Sequence, residues 1–325
     1  MEDGNPRYGW PELIGYQSGV AGRQQAVRKG ISAEAIKRRF RSGKWQRMQR
    51  GVYATFSGEP PRDAVLWAAV RRAGPGAVLS HQTAAEIQGL ADRPSAQIHV
   101  TVPVERNPAR YGKLPGVVVH RSRWVAPDPQ PDWRLPRTRI DDTVLDLAAA
   151  ARTLDDAYDW ISRATGRQLT TAESLREALA ARKKIRRRAW LDGALDDAAE
   201  GINSALERRY VHGVERAHGL PAARRQVRRR PGTKSIYLDN YYEKYRLCVE
   251  LDGQASHPPE RRWHDSRRDN ANLAADDTRT LRYGWADVTT GRCGCASQIA
   301  AVLGRRGWAQ ATLRRCGPGC AVGRP

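Results

Sequence analysis

The sequence predicts an α+β multidomain chain, and three observations predict it. The chain has 325 residues, enough for two or three hydrophobic cores of ordinary domain size. Helical spacing of apolar residues alternates along it with short runs of period-two alternation, the mark of mixed helix and strand. Its charge is uneven: residues 1–62 hold 12 Lys/Arg against 5 Asp/Glu, residues 63–200 hold 21 against 18, and residues 201–325 hold 23 against 12. Those shifts set the expected boundaries: a basic module at 1–62, a balanced α/β domain at 63–200 and a basic α/β domain at 201–325.

The formal net charge of +21 calls for a polyanionic partner. Double-stranded DNA leads the candidates because Arg far outnumbers Lys, and a guanidinium grips phosphate through paired hydrogen bonds. The opening "MEDGNPRYGW" is acidic and polar, and no apolar run nears the roughly 18 residues of a membrane span. Five cysteines in this length make no disulfide scaffold, so a cytoplasmic protein with no membrane partner is expected.

In the first module, "ISAEAIKRRFRSGKW" offers Ser32 as N-cap, Ile36 and Phe40 on one helical face, and Gly43 as the stop. Lys37, Arg38, Arg39 and Arg41 fill the other faces. "KWQRMQRGVYAT" then reads as two strands hinged near Gly51. A basic helix followed by a ribbon is the layout of a winged helix-turn-helix, whose second helix enters the major groove. An ordinary helix with a solvated cationic face carries the same signature.

In the middle segment, "SHQTAAEIQGL" (80–90) reads as a capped helix, while "IHVTVP" (98–103) and "GVVVHRS" (116–122) alternate as strands do. The Pro-rich "WVAPDPQPDWRLP" (124–136) is a loop or boundary, and "TVLDLAAAARTLDDAYDWI" (143–161) reads as one amphipathic helix. His81, His99 and His120 are spread singly, the pattern of packed or hydrogen-bonded imidazoles rather than ligands. "RKKIRRR" (182–188) is either a solvated helix end or a phosphate-contacting patch.

Over the first half of the chain, "GKWQRMQRGVYAT", "GPGAVLSHQTAAEIQGL", "IHVTVP" and "VVVHRSR" resemble the antitoxin of type IV toxin–antitoxin (abortive-infection, AbiEi-like) systems. The resemblance implies a winged-helix DNA binder followed by an α/β domain that opposes a partner toxin.

The last segment has a different character. "SALERRYVHGVERA" puts Leu206, Tyr210, Val214 and Ala217 on one helical stripe with Glu207 beside it. "KSIYLDN" (234–240) is a strand ending at Asp239, "YRLCVELDG" (245–253) a second strand, and "TRTLRYGW" (278–285) a third. Between the last two, "RRWHDSRRDNANLAA" (261–275) is a basic helix whose Arg261, Arg262 and Arg267 suit DNA phosphates. Glu250 and Asp252 share a face of their strand, Asp239 ends its neighbour, and Glu207 sits on a helix placed to pack against them. Two or three carboxylates suit Mg²⁺ or Mn²⁺, hard cations that take oxygen ligands. Such a cation polarises a phosphoryl oxygen and lowers the pKa of an attacking water.

"SALERR", "SIYLDN", "CVELDGQASH", "DSRRDNANLAA" and "TLRYGWADV" resemble the very-short-patch-repair-like branch of the PD-(D/E)XK nuclease superfamily, over about residues 201–305. The resemblance implies a restriction-endonuclease-like α/β domain, a mixed sheet flanked by helices. It also implies Asp239 and Glu250 as metal ligands, Glu207 as a further ligand, and His257 and Arg268 near the scissile phosphate. One departure stands out: the superfamily's lysine, two positions after the second acid, is Asp252 here. Asp252 is then a second-metal ligand with Arg268 supplying the positive charge, a turn residue before Gly253, or the mark of a weak or dead site. Glu207 has its own alternative, since "SALE" is a capping box with Ser204 as N-cap. His257, before two prolines, also reads as a loop histidine.

Cys293 with Cys295, and Cys316 with Cys320, form two close pairs that would hold a structural Zn²⁺ or remain unligated thiols in a loose tail. Cys248, mid-strand, belongs to the core. The expectation is a DNA-binding protein with a Mg²⁺-dependent endonuclease domain. Its rivals are a non-catalytic regulator, or an antitoxin bound to a toxin protein, in which the nuclease fold survives only as a DNA clamp.

Overall fold

The computed structural model describes residues 9–105, 114–123, 135–229, 236–252, 277–309 and 312–322, together with 270 and 274. It divides the chain into two units, residues 1–152 with 167–188, and residues 153–166 with 189–325.

The first unit opens with α1 (Trp10–Tyr16), β1 (Val20–Gly22), α2 (Arg23–Arg28), α3 (Ala33–Arg41), β2 (Gln46–Gln49) and β3 (Val52–Ala54). That order is compatible with a winged helix-turn-helix. Ser32 starts α3, its hydroxyl accepting the Ala35 amide at 3.1 Å. β3 pairs antiparallel with both β1 and β2, and Gly51, at φ 75°, makes the tight turn that a side chain would strain. Ile36 and Phe40 pack as their spacing predicts, with Ala26, Trp45, Tyr53 and Trp10. Trp10 stacks on Trp45 at 5.8 Å and Phe40 meets Tyr53 edge-on at 4.9 Å. Large aromatic side chains let so small a module bury enough area to hold together.

The unit continues with α4 (Arg62–Ala73), β4 (Val78–Leu79), α5 (His81–Ile87), β5 (Ile98–Pro103) and β6 (Val117–Ser122), the strands ordered β4-β5-β6. Leu66, Trp67 and Val70 of α4 share a core with Leu79, Val100 and Val102. Ser80 stands at the N-cap position of α5 but does not cap it. Its hydroxyl instead accepts the Thr101 hydroxyl at 2.7 Å and meets His81 Nδ1 at 3.1 Å.

One expectation for the middle segment is corrected and another is refined. The stretch 143–161 is not one helix but α6 (Ile140–Ala150) and α7 (Leu154–Gly166), with Ala151 extended between them. Thr153 Oγ1 accepts the Asp156 amide at 3.0 Å and Asp156 accepts the Thr153 amide at 3.1 Å, a reciprocal cap that starts a new helix. "RKKIRRR" does begin at a helix end, with Arg182 as C-cap, but its cations are not all solvated. It follows α8 (Ala172–Ala181) as a connection whose Arg182 is buried between Asp142 (2.7 Å) and Asp146 (2.6 Å). Arg187 and Arg188 donate to backbone carbonyls, which leaves Lys183, Lys184 and Arg186 exposed.

The second unit holds α7, α9 (Arg188–Ala199), α10 (Ala205–Tyr210) running on into a π turn (Val211–Arg216), and strands β7 (Arg224–Arg229), β8 (Ile236–Tyr242), β9 (Leu247–Asp252) and β10 (Arg279–Gly284). The helix Arg292–Arg305 closes it. The sheet order is β10-β9-β8-β7, with β7, β8 and β9 antiparallel and β10 parallel to β9, so the sheet is mixed. β7, "RRQVRR", is an edge strand, and its charges, which discourage pairing with other chains, also hide its alternation. Glu215, 2% exposed, pairs with Arg225 and accepts the Tyr242 hydroxyl at 3.1 Å. Arg225 donates to Asn240 at 2.7 Å, so this buried charge is both paired and hydrogen-bonded. Among the described residues no helix is long and apolar enough to cross a membrane.

Candidate functional site

On α3, Lys37, Arg38 and Arg41 are exposed. Arg39 is half-buried, its guanidinium 5.0 Å over the Trp45 ring, so it braces the small core. Lys44, Arg47 and Arg50, which the sequence reading left unassigned, are also exposed along β2 and its flanking turns. A basic helix thus stands next in the chain to a cationic ribbon. Their signal was present in "KWQRMQR", where cations alternate with the packed Trp45 and Met48.

The carboxylates take their positions from the register of the second sheet. β8 and β9 pair Asn240 with Val249 and Tyr241 with Cys248, so one further step sets Asp239 across from Glu250. The Leu251 amide donates to Asp239 Oδ2 at 3.2 Å, tying the two strands at that point. Asn240 joins the Arg225–Glu215 network on one face of the sheet. Neighbours along a strand face opposite sides, so Asp239, Glu250 and Asp252 share the other face. Parallel pairing of β10 places Arg282 beside Glu250. Arg282 Nη1 lies 2.5 Å from Glu250 Oε2 and 3.8 Å from Asp252 Oδ2. A guanidinium therefore bridges the two acids of β9. Sequence reasoning read 278–285 as a strand but missed this role, which only the register with β9 reveals.

Glu207 caps its helix while standing near Asp239. The Ser204 hydroxyl accepts the Glu207 amide at 3.0 Å, and the Glu207 carboxylate accepts the Asn203 amide at 2.8 Å, one residue earlier than a capping box requires. Burial raises the Glu207 carboxyl above its ordinary value, the Asn203 amide pulls it back, and the charge of Asp239 raises it again. The two acids therefore sense each other. His257, Arg261, Arg262, Arg267 and Arg268 lie outside the described residues.

Among the described residues, two groups bring three or more metal-ligating side chains within 4.8 Å of one another, and the carboxylates are in neither. One is His218, Cys293, Cys316 and Cys320. Cys295 is not among them: two residues apart on a helix, Cys293 and Cys295 point to different faces. Cys295 is buried and hydrogen-bonds with Tyr283, and burial first, then the charge of Asp287, pushes its thiol up to about 12. His218, absent from the sequence expectation, takes its place. Cys248 is fully buried in the core, as expected.

The other group is His81, His99 and His120, which the fold gathers although they are scattered in sequence. His81 and His120 stack at 3.6 Å, and His99 Nδ1 meets His120 Nε2 at 2.9 Å, so the expected packing and hydrogen bonding are both present. Burial lowers His81 to about 3 and His120 to about 4, with the neighbouring imidazoles adding to it.

Residues 11–55 match the family described as "Transcriptional regulator, AbiEi antitoxin". None of the curated proteins matches the chain. Among solved structures, the chain is distantly similar to the crystal structure of the RV2827C protein from Mycobacterium tuberculosis. The two are 17% identical with a TM-score of 0.39, and the similarity covers 62% of this chain and 78% of that one.

Proposed function

We propose that the chain is a DNA-binding transcriptional regulator of the antitoxin type. The observation that carries this reading is the exposed Lys37, Arg38 and Arg41 of α3, followed by the cationic ribbon, inside the 11–55 segment that matches AbiEi antitoxin regulators. A helix with such a face enters the major groove while the ribbon's cations hold phosphates. A toxin protein is the further partner this reading implies. Titrating duplex DNA in increasing salt tests it: the logarithm of affinity should fall linearly with that of salt, by about 0.9 for each phosphate neutralised. Absent or salt-insensitive binding refutes it.

A second reading is favoured by a different observation, the three acids on one sheet face with Arg282 between two of them. In it the second unit is an endonuclease-like domain that hydrolyses phosphodiester bonds with Mg²⁺ or Mn²⁺. The donor set fits: carboxylate oxygens of Asp239 and Glu250 from adjacent strands, with Glu207 nearby, suit a hard cation that keeps several waters. Bound there, the cation supplies Lewis acidity toward the phosphoryl oxygen. Arg282 brings positive charge to the face where the superfamily's lysine is lacking, and there it would stabilise charge developing on the phosphate. His257 and Arg268 complete this proposed set. Supercoiled plasmid incubated with Mg²⁺, Mn²⁺ or EDTA separates the readings: metal-dependent cutting supports the nuclease, and DNA bound but never cut leaves the regulator alone.

A further inference from the structure

We propose that Cys293, Cys316, Cys320 and His218 bind one structural zinc ion that fastens the carboxyl-terminal tail to the second unit. The distances are those of a single tetrahedral ion. Cys293 Sγ lies 3.7 Å from both Cys316 Sγ and Cys320 Sγ, and Cys320 Sγ lies 3.8 Å from His218 Nε2. Zinc bonds of about 2.3 Å to sulfur and about 2.0 Å to nitrogen give tetrahedral edges of about 3.8 Å between sulfurs and about 3.5 Å from sulfur to nitrogen. A disulfide needs a separation of about 2.05 Å, and all the cysteines are free.

The histidine is set up as a ligand. His218 Nδ1 lies 2.9 Å from the Val214 carbonyl, an acceptor, so Nδ1 carries the proton and the Nε2 lone pair turns to the sulfurs. Metal-bound histidines are oriented in just this manner by a hydrogen bond from the other ring nitrogen. The Arg314 amide donates to the His218 carbonyl at 2.9 Å, which holds the tail against this ligand. His218 and Cys320 are buried, Cys293 and Cys316 are half-buried, and the four side chains fill a tetrahedral shell. A closed four-ligand site is structural, whereas a catalytic zinc keeps one position open.

The ligands come from three places in the chain: the end of the helical stretch that carries the π turn, the first turn of the helix Arg292–Arg305, and the tail. In "CGPGC" (316–320) small residues let the backbone wrap the ion, and the Cys320 amide closes a turn on the Gly317 carbonyl at 3.1 Å. Three thiolates and Zn²⁺ leave one negative charge, and Arg292, Arg314 and Arg315 flank the ligands in sequence.

The test is elemental analysis of full-length protein purified without chelator or polyhistidine tag. About one zinc per chain is expected. Cys293→Ser and His218→Asn should each bring it close to zero, and Cys295→Ser should leave it unchanged. Cobalt exchanged into the wild-type protein should show the intense visible bands of a tetrahedral thiolate site, a readout that needs no variant to fold. Wild-type protein that carries no zinc and takes up neither zinc nor cobalt overturns the proposal. So does zinc lost in Cys295→Ser but kept in His218→Asn.

Discussion

Replacing Arg282 with methionine should loosen the second sheet where β9 meets β10. Methionine keeps an unbranched apolar stem in place but removes the charge that bridges Glu250 and Asp252. The size of the effect follows from exposure. The Glu250 side chain is 7% exposed and 2.5 Å from the guanidinium, so an ion pair is lost in a buried setting. Asp252, 36% exposed and 3.8 Å away, adds little. Removing one member of a buried pair costs about 3–5 kcal/mol, and the 26% exposure of Arg282 argues for the low end, about 3. At 1.4 kcal/mol per factor of ten, opening of the sheet becomes about a hundredfold more frequent. Hydrogen exchange on peptides covering 247–252 and 279–284 reads that opening directly. Adding Glu250→Gln to the variant removes the less compensated charge and should restore at least half of the protection, a coupling between the two positions. Exchange within threefold of wild type in Arg282→Met would refute the reasoning, as would simple additivity in the double variant.

Three other outcomes are expected. Changing Lys44, Arg47 and Arg50 of the ribbon and its flanking turns together to Ala should weaken duplex binding at low salt and reduce the salt slope by about 2–3, because each lost phosphate contact removes about 0.9; an unchanged slope in the same titration places DNA elsewhere. Asp239→Asn and Glu250→Gln, which remove ligand charge at constant volume, should abolish any metal-dependent plasmid cutting and leave affinity unchanged or slightly higher. The first unit should lose stability in mild acid: unfolded histidines take up protons as the pH falls through about 6.5, while folded His120 and His81 resist until about 4 and 3. Stability is therefore full above that range and declines through it, and His81→Gln with His120→Gln should flatten the decline in denaturation measured between pH 6.5 and 4.5.

What was legible in the sequence is what short-range physics decides. Ser32, Ile36, Phe40 and Gly51 each declare a cap, a face or a turn within a few residues, and the structure places them accordingly. The break at Ala151–Thr153 was equally local, in the Thr153–Asp156 pair, but the apolar period running across it masked the signal. β7 escaped because edge strands are kept charged, and "RRQVRR" offers no apolar alternation to read. Period two was enough to put Glu250 and Asp252 on one face. It was not enough to find Arg282, whose place depends on parallel pairing with a strand distant in sequence. Cys293 and Cys295 were grouped because they are close in sequence, yet helical phase separates them. His218 joins the sulfurs through tertiary folding alone.

The two functional readings come down to the role of Arg282. A buried carboxylate is costly without a counter-charge, and on β9 the guanidinium supplies one to Glu250 at hydrogen-bond distance and to Asp252 at the edge of ion-pair distance. In a regulator that pairing is sufficient, since it offsets the buried charge of Glu250 while solvent serves the more exposed Asp252, and no metal is required there. In a nuclease the same cation has a second task. A divalent ion shared by Asp239 and Glu250 would draw charge from Glu250, so the guanidinium must then lean on Asp252, the residue that stands where the lysine is expected. Asp252 is in that case neither a spoiled lysine nor a turn residue but the seat of an arginine delivered from the neighbouring strand. In the nuclease reading the charge-reversed position and the bridging arginine are one arrangement, and any activity at this face would depend on both.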